Sequence, residues 1–218
     1  MTTASTRTLV DSRRVALAKL AYAVERPGSV ALLCGPSGTG KTAVLDGLAA
    51  AVGPRAVRRP LTWWLDGGRS AADLPEVVLA DDAHEADVAG LVRLLDTCRS
   101  RRPEACLVLA GEGRLLSLVS RDPRLVRAVG LRAVLRPFAE EETRAVLDAS
   151  LFAVGPGRLA DEVRRAVART IHEIAAGIPS SVVRLAEFAT LVADARPDGG
   201  IAPADIEAIH RRLSLDAA

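Results

Sequence analysis

Eight consecutive residues, Gly35-Pro36-Ser37-Gly38-Thr39-Gly40-Lys41-Thr42, satisfy the pattern GxxxxGK[ST] at every specified position. Their surroundings narrow the fold further. Ser29–Cys34 (SVALLC) is a short uninterrupted apolar run, the pattern of a strand covered on both faces. Lys41–Val52 (KTAVLDGLAAAV) is amphipathic at helical spacing and is stopped by Gly53-Pro54. Strand, glycine-rich turn and helix thus follow without a gap. In such a turn the glycines let backbone N–H groups curl around a phosphate, where a Cβ would clash, and the helix adds its positive end. Lys41 can reach the β and γ oxygens of a nucleotide, and the Thr42 hydroxyl can ligate Mg²⁺. ATP and Mg²⁺ are the expected ligands.

A second acidic signal lies downstream. Glu76–Ala80 (EVVLA) reads as another buried strand, and Asp81-Asp82 follows it directly. Such a strand delivers one carboxylate to a metal shell and a second beside it. Asp81 is expected to support Mg²⁺ and Asp82 to polarise the attacking water. Side chains at the second position are usually Glu in ATPases of this type. Asp82 is one methylene shorter, and a misplacement of about 1 Å can cost on the order of a hundredfold in rate. Slow turnover is the corresponding expectation.

The remaining chain alternates before it changes character. Val15–Val24 is helical, Val88–Arg99 is a helix, Ala105–Ala110 (ACLVLA) is a strand, Leu115–Val119 and Pro123–Ala128 are short helices, and Leu131–Leu135 is a strand. Between the two motifs, Ala56–Val57 and Leu61–Leu65 are candidate strands, with Leu61–Leu65 at the sheet edge. Only 39 residues intervene between Lys41 and Asp81, so the second α/β unit must be trimmed. Alternating strands and helices imply a parallel sheet in an α/β sandwich. After Pro137 four helices are expected, over Glu140–Phe152, Leu159–Ala176, Ser180–Ala195 and Pro203–Leu213, separated by Gly- and Pro-containing breaks.

Composition sets limits on partners. Hydrophobic residues make up 49% of the chain but only six are aromatic, so the core must be built from Ala, Leu and Val. The net charge of +2 carries no argument for nucleic acid by itself. Lys occurs only at Lys19 and Lys41, so nearly all positive charge is Arg. A GC-rich genome accounts for that; alternatively some Arg contact phosphates or carboxylates bidentately. Cys34, Cys98 and Cys106 are odd in number and lack metal-ligand spacing, which suits buried thiols in a reducing compartment. No secretory leader and no membrane-length apolar run are present, so a cytoplasmic protein without membrane insertion is expected.

The segments VALLCGPSGTGKTAVL, VVLADDAH, CLVLAGEGRL, LRPFAEEETRAVL and AAGIPSSVVRLAEFA occur in the order found in bacterial AAA+ ATPases of the ExeA type. The chain resembles that group from about Val15 to Leu213, and the group is similar to the transposition ATPases TniB and TnsC. The resemblance implies a P-loop NTPase (AAA+-like) three-layer α/β sandwich over residues 1–137 and a helical lid over 138–218. It also implies a nucleotide bound between core and lid in a homo-oligomer, and work on a secretion or DNA-transposition partner.

The same resemblance directs attention to further positions. Glu112 occupies the place of a sensor-1 polar residue, or else is a solvated loop acid. Arg121, Arg124 and Arg127 lie on a segment that in relatives faces the next subunit; Arg124 is our candidate arginine finger, against a solvated basic face. Family members often carry Arg directly after the GIP turn, as the sensor-2 residue toward the γ-phosphate, where this chain has Ser180, so Arg184 is the nearest substitute. His84 resembles the end of a DEAH sequence and suits capping or coupling rather than proton transfer. Trp63-Trp64, the one aromatic pair, is expected to pack one ring and expose the other, as neighbours on a strand do. His172 and His210 read as surface or packed residues. Three functions follow: a slow ATPase that drives assembly or remodelling, a nucleotide-gated scaffold with little turnover, and a transposition-type DNA-binding ATPase.

Overall fold

The computed structural model describes residues 11–66, 74–154, 160–197 and 199–215. The chain divides into two compact units, one spanning Asp11–Arg136 and the other beginning at Pro137.

The first unit is built on five parallel strands: β1 (Val30–Cys34), β2 (Ala56–Pro60), β3 (Val77–Asp81), β4 (Cys106–Gly111) and β5 (Val129–Val134). Their order across the sheet is β2-β3-β4-β1-β5. The three central strands are apolar except for Asp81 at the end of β3 and are buried along their whole length, because parallel strands joined by crossover helices are covered on both faces. Alternate residues accordingly feed two cores. Leu32, Val78, Ala80, Leu107 and Leu109 pack against Leu61 and helices α4 (Val88–Arg101), α5 (Gly113–Ser120) and α6 (Pro123–Ala128). Ala31, Leu33, Leu79, Val108 and Ala110 pack against α1 (Asp11–Val24) and α2 (Lys41–Val52) through Ala16, Leu20, Leu45 and Leu48. The result is the expected three-layer sandwich, with small and aliphatic side chains in place of aromatics.

The expectation for Leu61–Leu65 is wrong. It is the short helix α3 rather than a strand, and the sheet edge is taken by Ala56–Pro60, paired with β3 from Ala56↔Val77 to Pro60↔Asp81. An edge strand is only half covered, so Arg58 and Arg59 are tolerated there, and Pro60 is acceptable at its end because no further strand pairs beyond it. The Trp63-Trp64 argument from strand alternation falls with it. On the helix both rings are partly buried and meet edge to face at 4.9 Å, with the Arg59 guanidinium 5.5 Å over Trp63.

The second unit contains α7 (Glu140–Ala149), α8 (Leu151–Val154), α9 (Asp161–Ala175), α10 (Pro179–Asp194) and α11 (Pro203–Leu215). They surround Phe138, Leu147, Ile171, Val182, Leu185, Ala189 and Ile206. The single helix expected over Glu140–Phe152 breaks at Ser150 (φ −124°, ψ −88°), whose hydroxyl bonds back to the Val146 carbonyl at 2.8 Å. Phe138 reaches the GIP turn: its N–H donates to the Gly177 carbonyl at 2.8 Å. His172 is a packed residue, with Nδ1 2.9 Å from the buried Thr143 hydroxyl. No helix among the described residues is long and apolar enough to cross a membrane.

Candidate functional site

The loop between β1 and α2 starts deep in the protein, comes to the surface at Pro36 and Ser37, and turns back inward to Thr39. Gly35 continues β1 by donating its N–H to the Gly111 carbonyl at 3.2 Å. Pro36 and Ser37 are exposed, Gly38 and Gly40 are partly buried, and Thr39 is buried. Thr39 closes the turn, its hydroxyl donating to the Pro36 carbonyl at 2.8 Å. Gly40 then adopts φ +92°, and α2 begins with no side chain capping it and no acid in its first turn. Its leading amides are therefore available to an external anion. Lys41, only 8% exposed, turns its ammonium onto the loop's own Gly35 and Pro36 carbonyls at 2.9 and 3.0 Å.

Glycine is also required in the loop by the protein around it. A Cβ at Gly35 would lie 2.7 Å from the Leu135 carbonyl, and one at Gly40 would lie 2.7 Å from Arg13 Nε. At Gly35 the loop's own Thr39 hydroxyl, at 2.8 Å, would also be in the way. Arg13, from α1, donates through Nε and Nη2 to the Thr39 carbonyl at 2.9 and 2.8 Å. Carbonyl and amide of a trans peptide point opposite ways, so this grip turns the Gly40 N–H away from α1.

The acidic strand meets this loop across β4. Asp81 ends β3 nearly buried at 3% exposure. Its Oδ2 accepts from the Thr42 hydroxyl at 3.0 Å and from Arg58 Nη1 at 3.2 Å, and its Oδ1 accepts from the Asp82 N–H at 3.1 Å. The structure thus brings Thr42 and Asp81 together. Both offer hard oxygens, which suit Mg²⁺. Among the described residues no cluster of three or more His, Cys, Asp or Glu builds a metal cage. A cation here would complete its shell from water and phosphate oxygens, as Mg²⁺ commonly does.

Asp82 has φ +53°, in the left-handed region. The chain turns there so that the Ala83 N–H can donate to the Ala110 carbonyl at 2.8 Å. A non-glycine residue held in that region is strained, and strain of this kind gathers at functional sites. Partial burial, then the neighbouring Asp81 and Glu85, raise the Asp82 carboxyl above its ordinary value, against opposing pulls from His84 and Lys41.

Glu112 starts α5 with its carboxylate 3.9 Å from His84 Nε2, on the loop that follows β4. The His84 carbonyl accepts from the Arg114 guanidinium, so His84 joins the acidic turn to that loop. Arg124 is committed locally: Nη2 meets Asp122 at 2.9 Å and Nη1 meets Asp96 at 3.5 Å. Arg121 and Arg127 are exposed and form no ion pair among the described residues. Arg184 is exposed on α10 of the second unit, and Ser180 lies one turn earlier. Sequence reasoning missed Arg13 and Arg58, and the only available hint was the near-exclusive use of Arg for positive charge.

No family model matches the chain, and no curated protein does. Solved structures do. A variant of Thermotoga maritima RuvB aligns at TM-score 0.63 and 19% identity over 92% of this chain and 66% of its own. PCH-2 of C. elegans aligns at 0.58 and 18%, over 92% and 67% respectively. Aeropyrum pernix ORC2, described with ADPNP and ADP, aligns at 0.57 and 16%, over 89% and 64%. This chain has an α/β P-loop fold, shared with these structures. It spans about two thirds of the length of these structures, and at such identities the likeness concerns the fold.

Proposed function

We propose that the chain binds ATP on the Gly35–Thr42 loop and hydrolyses it slowly, as an oligomeric ATPase acting on another macromolecule in the cytoplasm. The observation that carries this reading is the 3.0 Å contact between Thr42 and Asp81. It joins the start of the phosphate-loop helix to the acid at the end of β3, although β4 lies between the two strands. Amides of Gly38, Gly40 and Lys41 and the ammonium of Lys41 bind the β- and γ-phosphates, while Gly35, Pro36, Ser37 and Thr39 shape the loop. Thr42 and Asp81 would hold Mg²⁺, which neutralises charge on the phosphate oxygens when bound. Asp82 orients and polarises the attacking water, and Glu112 stands on the same rim. Arg124 acts in trans only if it leaves Asp122 and Asp96; Arg121 and Arg127 carry no such cost.

Replacing Lys41 by Ala tests the site directly. Equilibrium binding of labelled ATP should disappear, and undiminished binding would refute the assignment.

A second reading, a nucleotide-gated scaffold with little turnover, draws support from Asp82. That residue is short and held at positive φ, and partial burial raises its carboxyl above the ordinary value. Phosphate release by wild type and Asp82→Asn separates the two, because a scaffold shows equal and negligible rates. The ExeA-type resemblance favours a secretion or transposition partner. The RuvB structures include one described as a Holliday junction branch migration motor, and salt-dependent binding of this chain to duplex DNA with ATP present tests a DNA role.

A further inference from the structure

The proposed metal site carries a cation of its own. Arg58 reaches inward from the edge strand β2 and is about one third exposed. Its guanidinium is held between two acids: Nε donates to Asp46 Oδ1 of α2 at 2.6 Å, and Nη1 to Asp81 Oδ2 at 3.2 Å. Asp81 Oδ2 is the same oxygen that accepts from Thr42, and the other Asp81 oxygen is occupied by the Asp82 amide. A carboxylate has about four lone-pair sites, and three are already used.

We propose that Arg58 is a tethered competitor of the divalent cation for Asp81. The inference rests on the nucleotide reading of this site and concerns how that site is charged. A cation, or the water it carries, must share Oδ2 with a permanently positive group that cannot be deprotonated. Like charges so close repel, so one must yield. Arg58 can, because the shorter bond to the half-exposed Asp46 remains when the one to Asp81 breaks. Asp46 is thus a parking place: Arg58 pairs with both acids when no divalent cation is bound and with Asp46 alone when one is. The guanidinium also neutralises the nearly buried Asp81 in the metal-free protein, where an unpaired carboxylate would be costly. The consequence is a divalent-cation requirement set by the protein and adjustable from the sheet edge.

The test is a Mg²⁺ titration of labelled-ATP affinity, with unfolding curves recorded to check that each variant is folded. Arg58→Gln keeps a donor and removes the charge. It should lower the Mg²⁺ concentration for half-maximal promotion of ATP binding by roughly tenfold, the worth of one charge-assisted hydrogen bond. Asp46→Asn weakens the parking place and should raise that concentration. Arg58→Lys keeps the charge and should lie nearer wild type than Arg58→Gln. A fold-competent Arg58→Gln whose ATP binding is intact and whose Mg²⁺ midpoint is unmoved overturns the inference alone. Wild type that binds no ATP at any Mg²⁺ concentration overturns the nucleotide reading and the inference with it.

Discussion

Substituting Gly40 with alanine imposes two separate costs on the phosphate loop. The first is conformational, because φ is +92° there and a side chain at such an angle costs about 1–2 kcal/mol. The second is a collision: the new Cβ falls 2.7 Å from Arg13 Nε. Arg13 must then leave the Thr39 carbonyl that it holds at 2.9 and 2.8 Å. Losing a buried, charge-assisted chelate of this kind costs about 2 kcal/mol. The sum is about 3–4 kcal/mol, and at about 2–4 °C per kcal/mol for a chain of this size the Tm falls by about 6–16 °C. The assay is a double-mutant cycle with Arg13→Ala, read by urea denaturation. Removing Arg13 removes the collision, so Gly40→Ala should cost only about 1–2 kcal/mol in that background. An equal penalty in both backgrounds would show that Arg13 does not brace the loop.

Two further perturbations isolate other parts. Asp82 holds its proton more readily folded than unfolded, so its contribution to stability declines as pH rises from the ordinary aspartate value of 3.8 through the raised one. Asn tolerates the same backbone region. Asp82→Asn should therefore melt above wild type at neutral pH, and the gap should close below that ordinary value; a gap independent of pH would contradict the assigned shift. Asp122 caps α6 by accepting from the Arg124 N–H at 2.8 Å. Asp122→Ala should cost about 1 kcal/mol in thermal unfolding, whereas Arg124→Ala, losing only exposed ion pairs, should cost under about 1 kcal/mol.

Where the sequence pattern was read correctly, the physics was local. A buried strand, a tight turn and an amphipathic helix each leave their mark within a dozen residues, so β1, α2, β3 and β4 were recognisable from apolar runs and their breakers. The misreading of Leu61–Leu65 has a definite cause. Five mostly apolar residues fit a buried strand and one turn of helix equally well, while the true edge strand carries two arginines and a proline. The break at Ser150 leaves no mark in the apolar spacing of the segment. Arg13 and Arg58 stood outside every pattern because their partners lie 26 and 23 residues away. Only the sheet brings them to the loop and to Asp81.

The interposed strand has an implication for how this protein is made. During synthesis the glycine loop emerges first and the acids forty residues later, yet β1 and β3 cannot be joined until the segment ending at Gly111 slots between them. Nascent chains shorter than that hold both halves of the site without the means to align them. The proposed site is therefore assembled only once β4 has joined the sheet, late in the emergence of this unit.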